Sequence, residues 1–163
     1  MNGIYVPISQ DYADRIRSTR QDDFGHAVET HIAGETGYGP CRCCLKQFRP
    51  GEKRLLFSYA PVAADHPFNE VGPVFIHEDC QSYNERTRFP EEVKNGRLPI
   101  SLLLRCYNKE KRVIAAVPIK DISTVEEQIN RLLSDPQTAF IHIRNAIDQC
   151  FIAGVNRDQG TGS

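Results

Sequence analysis

The sequence predicts an α+β fold: a mixed or antiparallel sheet, a few short helices, and a zinc knuckle–hairpin–helix insert over about residues 40–90. Three observations carry that prediction. Leu102–Tyr107 and Val113–Val117 flank the polar turn Asn108–Lys111, which is a hairpin signal. Helical periodicity is confined to short stretches between strand-like runs. Cys41-Arg42-Cys43-Cys44 and His77-Glu78-Asp79-Cys80 supply a C-x-x-C and an H-x-x-C at a spacing that suits one tetrahedral Zn²⁺.

Taken in order, Ser9 caps a helix through Ser18 with Ile8, Tyr12, Ala13 and Ile16 on its inner face. Ala27–Ile32 reads as a short strand. The glycine- and proline-bearing stretch Gly34–Pro40 is a loop that delivers the chain to the cysteines. Leu55–Tyr59 and Pro73–Ile76 read as strands separated by a proline-bearing excursion, Asp65–Phe68. A short helix is expected after Asp79, ending before Pro90 because proline cannot continue it. Beyond the second-half hairpin, Ser123-Thr124-Val125-Glu126 is a capping box, and Val125, Ile129, Leu132 and Leu133 form a helical stripe. That helix should stop at Asp135-Pro136. Ala139–Ile143 and Cys150–Val155 form a last pair of strands around Asn145–Gln149. The expectation is one domain over 1–157 and a disordered tail over 158–163.

Composition narrows the function classes. The chain has 163 residues, 40% of them hydrophobic and 25% charged, with a net charge of −1. That is ordinary globular composition, without the basic footprint of a nucleic-acid or anionic-membrane binder. The start, Met1-Asn2-Gly3-Ile4-Tyr5-Val6-Pro7, lacks the basic flank and apolar run of a signal peptide, and no stretch reaches membrane-spanning length. The expected location is cytoplasmic, where the six cysteines stay thiols or metal thiolates.

The metal reading rests on Cys41, Cys44, His77 and Cys80. A C-x-x-C knuckle presents two thiolates from one tight turn, and the hairpin that follows would bring His77 and Cys80 to the same ion. Four protein ligands close the shell, which favours a structural Zn²⁺ over a catalytic one. Knuckle, hairpin and first helical turn is the arrangement of treble-clef zinc sites, which this region resembles. Cys43 stands as an alternative ligand to Cys41 or Cys44. Otherwise Cys43, Cys106 and Cys150 are small buried hydrophobes.

Gly39-Pro40-Cys41-Arg42, Pro50-Gly51-Glu52, Gly72-Pro73-Val74-Phe75, Leu104-Arg105-Cys106-Tyr107, Ile141-His142-Ile143-Arg144-Asn145-Ala146 and Cys150-Phe151-Ile152-Ala153 follow the order and spacing of a known family. On them the chain resembles a bacterial family catalogued as domain of unknown function number 1203, from about Pro40 to Arg157. The resemblance implies an Arg-x-Tyr at Arg105 and Tyr107, and a His-x-His-Asn-Ala segment followed by Gly-Cys. Here Arg144 replaces the second histidine and Gln149 replaces the glycine. It also implies that cysteines matching Cys43, Cys44 and Cys80 belong to a branch of the family, leaving Cys41 open to a role apart from metal.

A second constellation joins Arg42, Arg105, Tyr107, His142, Asn145 and Cys150. Strand alternation points Phe140, His142 and Arg144 one way and Ile141 and Ile143 the other. Guanidinium forks at Arg42 and Arg105 suit a carboxylate or phosphate. Cys150 with His142 would make a thiolate–imidazolium pair, although Asn145 equally suits a plain turn residue. Two functions follow: a zinc-stabilised module that binds a protein or a small anionic ligand, or a small enzyme on an anionic metabolite. In the enzyme reading His142 is acid/base, with Tyr107 and Cys150 as further catalytic candidates and Arg42, Arg105 and Asn145 holding ligand. Edge strands would permit a homodimer.

Overall fold

Two antiparallel sheets organise the chain. The computed structural model describes residues 2–36 and 39–158, in the order β1 (Gly3–Val6), α1 (Gln10–Thr19), β2 (Glu29–Ile32), β3 (Lys53–Val62), β4 (Glu70–His77), α2 (Glu91–Asn95), β5 (Leu102–Tyr107), β6 (Val113–Pro118), α3 (Val125–Leu133), β7 (Phe140–Asn145) and β8 (Phe151–Arg157). A five-stranded sheet runs β1-β8-β7-β5-β6 and a three-stranded sheet runs β2-β3-β4. Every strand pair in them is antiparallel, so the α+β class is as expected. Among the described residues no helix is long and apolar enough to cross a membrane.

The period-two alternation of β5 and β7 builds the first core. Leu102, Leu104, Cys106, Ile141 and Ile143 point to one face of the large sheet, where the stripe Val125, Ile129, Leu132 and Leu133 of α3 covers them. Where α3 crosses β1, a Cβ on Gly3 would sit 2.5 Å from Val155 and 3.3 Å from Ile129, so this edge strand takes glycine for close approach. The opposite face carries Arg105, Tyr107, His142, Arg144 and Phe151. Register places Arg105 beside His142 and Arg144 beside Phe151, and the small sheet packs over them through Tyr59, whose ring is 5.8 Å from that of Phe151.

A second core lies under the small sheet, where Ile8, Ala13 and Ile16 meet Leu55, Phe57, Val74, Ile76 and Phe48. Ser9 caps α1 as expected, its hydroxyl accepting from the Tyr12 N–H.

Two expectations change. The helix after Asp79 does not form: residues 78–90 are irregular, and α2 starts after Pro90 instead. The stretch from Gln81 to Phe89 has no apolar period, and tertiary partners take its polar groups. Tyr83 N–H donates to the Cys43 carbonyl at 2.9 Å, while Ser82 donates through N–H to Gln10 and through its hydroxyl to the Ile8 carbonyl. The knuckle and hairpin of the insert are thus present without the helical turn of a treble clef. At α3 the capping box is unused. Asp121 instead caps a 3₁₀ turn, Ile122–Thr124, and Thr124 makes no side-chain cap. In the tail, Asp158 N–H donates to the Asn2 carbonyl, and 159–163 lie outside the described residues.

Ile129 is fully buried between α3 and the sheet. Ile129→Ala should lower unfolding free energy by about 2–5 kcal/mol in urea titration with an unchanged slope; a change under about 0.5 kcal/mol would mean α3 is not packed there.

Candidate metal centre

The knuckle is shaped by backbone first. Gly39 adopts φ 91°, and a Cβ there would meet the Phe48 ring at 2.7 Å. Cys41 N–H donates to the Lys46 carbonyl, and Leu45 N–H donates to the Cys41 carbonyl, both at 2.9 Å, closing the turn. Leu45 sits at φ 61°, a left-handed conformation that costs a non-glycine residue about 1–2 kcal/mol. Its side chain is 1% exposed and joins the first core, and burying a leucine returns about 1.5–3 kcal/mol. Burial therefore covers the strain. The cysteines face the second core while Leu45 anchors in the first.

Four donor atoms converge on one point. Those of Cys41, Cys44, His77 and Cys80 all lie within 4.8 Å of one another. Cys41 and Cys80 sulfurs are 3.9 Å apart, and Cys44 Sγ lies 3.3 Å from His77 Nδ1. A tetrahedral ion with metal–sulfur bonds near 2.3 Å sets sulfurs apart by about 3.8 Å, so the pair fits an edge of that polyhedron. His77 closes β4, and Cys80 returns from the irregular segment beyond it.

The surroundings favour charged sulfur. Cys41 Sγ accepts from the N–H groups of Cys43 (3.4 Å), Cys44 (3.5 Å) and His77 (3.2 Å). Arg17, from the last turn of α1, places Nη2 3.1 Å from Cys80 Sγ and also donates to the His77 carbonyl. On the other side of the imidazole, Glu52 Oε1 is 3.2 Å from His77 Nε2. That carboxylate holds the proton on Nε2 and leaves Nδ1 to face the sulfurs, a common second layer around metal-bound histidine. The Phe48 ring lies 4.4 Å from the imidazole and fixes its plane.

Protons are shared unevenly in the cluster. Hydrogen bonds from Cys41, Cys43 and Cys44 hold the Cys80 thiol far below its ordinary range. Hydrogen bonding to Cys80, then burial, pushes Cys43 up, and hydrogen bonding to Cys41 and Cys80 pushes Cys44 up. Burial lowers His77, but hydrogen bonds to Cys41 and Cys80, with Glu52, outweigh it and raise the imidazole to about 10. Soft donors this close cannot all be anionic without a cation among them, and a divalent ion would take the place of those protons. The donor set therefore fits a metal. Cys43 stays outside the four-atom group and is fully buried.

The second constellation divides. Arg42, 6% exposed, donates from Nε to the Phe151 carbonyl and from Nη1 to the Pro40 carbonyl, each at 2.6 Å. It ties the knuckle to β8. Asn145 Oδ1 accepts from the Ile147 and Asp148 N–H groups, shaping the turn before β8. The Cys150 thiol faces the Asp148 carbonyl at 3.7 Å, and among the described residues no hydrogen bond joins it to His142. By contrast, Arg105, Tyr107 and His142 do come together. His142 is ringed by Tyr107, Phe140 and Phe151 at centroid distances of 4.8, 5.4 and 4.8 Å. Burial, then the Arg144 and Arg105 charges, lowers its pKa to about 3.

Three residues with a part in these clusters are not singled out by the sequence: Arg17 and Glu52 at the metal centre and Glu70 between the sheets; alternation places Arg144 on the His142 face but gives it no role. Glu52 lies in the quoted Pro50-Gly51-Glu52 segment, which was the available signal. Arg17 follows the buried Ile16 but has no pattern of its own.

Glu52→Gln should weaken metal binding by about 10–100-fold, read by competition with a chromogenic chelator; unchanged affinity would remove Glu52 from the site. His142 makes a second prediction. Its folded pKa lies below the unfolded value near 6.5, so below pH 6.5 the unfolded chain binds the proton that the folded chain refuses. Stability should fall as pH drops from about 6.5 towards 3, by up to about 1.4 kcal/mol per pH unit. Subtracting a His142→Gln pH series should isolate that slope; identical slopes in both proteins would show that His142 protonates freely in the fold.

Among curated proteins and among solved structures, none matches the chain. The family described as Protein of unknown function (DUF1203) matches residues 38–157, which takes in the knuckle, the small hairpin and all but β1 of the large sheet. The chain belongs to this family.

Proposed function

We propose that the protein is a small binding module whose amino-terminal half is held together by one structural Zn²⁺ on Cys41, Cys44, His77 and Cys80. The observation that carries this reading is the convergence of those four donor atoms within 4.8 Å. Three thiolates and one imidazole in a tetrahedral set suit zinc above harder divalent ions. A full protein shell leaves no open position for a reacting water, so the metal's work is to hold the β3–β4 hairpin, the knuckle and the irregular segment after Asp79 to one another.

Binding is favoured over the enzyme reading by what the candidate side chains already do. Arg42 and Asn145 are engaged by backbone groups, and an imidazole with a pKa near 3 is far from the range of a general base at neutral pH. What the module recognises is a protein or a small anionic ligand, in a bacterial cytoplasm where the six free cysteines remain reduced.

Protein purified without chelator should carry one zinc per chain by emission spectroscopy. Removing it should abolish the cooperative thermal transition of the hairpin region, and returned zinc should restore it. Cys44→Ser should lose the metal at chelator concentrations the parent withstands. Metal well below one per chain under gentle handling, or a melting curve indifferent to chelation, would end the proposal.

A further inference from the structure

Between the two sheets, on the side of β7 away from the first core, lies a cavity of about 190 Å³. It is lined by Tyr59, Pro61, Val74, Phe151 and Arg144, with Asp148 and Cys150 on the β7–β8 turn. At that size it suits a fragment-sized ligand rather than a drug-sized one.

Arg144 is 2% exposed. A guanidinium so deeply buried needs its donors used, since an unmet buried donor costs about 1–3 kcal/mol. Nη1 donates to the Gln149 carbonyl at 2.9 Å, and Nη2 meets one oxygen of Glu70. Nε, buried as well, has no hydrogen-bond partner. Nε and Nη2 together form the side-on edge that grips a carboxylate with two parallel hydrogen bonds. Glu70 fills only half of that edge, because its other oxygen, Oε2, goes to Arg105 Nη1 at 3.2 Å. One carboxylate is stretched across two guanidiniums. His142 beside them contributes no charge at neutral pH.

Glu70 is also the member of this cluster able to leave. It is the first residue of β4, past the register irregularity between Tyr59 and Val62, and its side chain is 35% exposed.

We propose that this cavity is a binding site for a small monocarboxylate with a compact apolar body. The ligand's carboxylate takes the Nε–Nη2 edge of Arg144, displacing Glu70 onto Arg105 alone, while its body lies against the cavity wall of Tyr59, Pro61, Val74 and Phe151. Glu70 is the resident stand-in for the ligand. The planar carboxylate it already presents to these guanidiniums is the argument for carboxylate over tetrahedral phosphate, and Asp148 at the rim disfavours a second negative group. The inference gives a ligand class to the binding-module reading and rests on it, but it shares no residue with the metal centre.

The test is benzoate binding to the full, zinc-loaded chain, followed by titration calorimetry, with benzamide and inorganic phosphate as comparators. Glu70→Gln removes the internal competitor while keeping shape, so it should bind benzoate at least about tenfold more tightly than the parent, because a tethered group competes at high effective concentration. Arg144→Gln should abolish that binding. If this buried substitution prevents folding, the Glu70→Gln comparison decides alone. No gain in Glu70→Gln, equal binding of benzamide, or equal binding of phosphate would each overturn the proposal. Zinc content measured on the same samples separates the two readings: full zinc without the benzoate gain defeats this inference only, and the gain in a zinc-free, folded protein defeats the zinc reading only.

Discussion

Cys41 is the point on which the amino-terminal half depends. Its sulfur accepts from three backbone N–H groups, among them that of His77 at the end of β4. Its backbone closes the turn that sends Leu45 into the other core. Neighbouring Arg42 links outward in two directions, its N–H donating to the Phe75 carbonyl and its carbonyl accepting from Ile8 N–H at 2.9 Å. One short turn thus touches β4, the approach to α1 and, through the Arg42 guanidinium, β8. Displacing the sulfur would leave three backbone donors unpaired in a region with almost no access to water, which is why ligand geometry and fold cannot be varied separately here.

The interface between the sheets is held by polar chemistry rather than by a shared apolar core. Arg42 and Arg144 are both nearly inaccessible, and burying a guanidinium is favourable only when hydrogen bonds replace its water. Arg42 meets that demand with two carbonyls. Arg144 meets it with a carbonyl, Glu70 and the Tyr107 hydroxyl, and leaves Nε over. The two apolar clusters remain distinct on either side. Positioning of one sheet on the other therefore depends on directional bonds, which fix orientation more narrowly than apolar contact does.

How much of this was legible follows from which signals are local. Alternation in Leu102–Tyr107 and Phe140–Asn145 is a local property, so the second-half strands and the opposed directions of His142 and Ile143 could be read directly. Cysteine and histidine spacing is likewise local, and it marked the four donors. Alternation could say that His142 and Arg144 share the less apolar face; it could not say that this face is covered. Covering comes from β3 and β4, which lie far away in sequence and bring Tyr59 and Glu70. The segment after Asp79 misled for a related reason: its Ser82 and Tyr83 groups are taken by Gln10, Ile8 and Cys43. Gln149, standing where the resemblance implies glycine, adopts φ 67°, so the backbone keeps the left-handed turn that glycine would accept without strain.

The small sheet explains why this half of the chain would need a metal at all. Three strands are near the lower limit for independent stability, and all four residues of β2 are exposed, so its outer strand adds little apolar burial. What remains is β3 and β4 packed on α1 and the knuckle. A metal held by the four donors would add cross-links between segments 33 to 39 residues apart, and each loop closed in this way would remove conformational freedom from the unfolded chain. The hub also reaches beyond the family match: Arg17, which holds the Cys80 sulfur, belongs to α1, before residue 38. The same helix supplies Ala13 and Ile16 to the core beneath the hairpin. Metal ligation would therefore support helix docking and be supported by it, because the guanidinium beside the Cys80 sulfur is held in place by the apolar residues next to it.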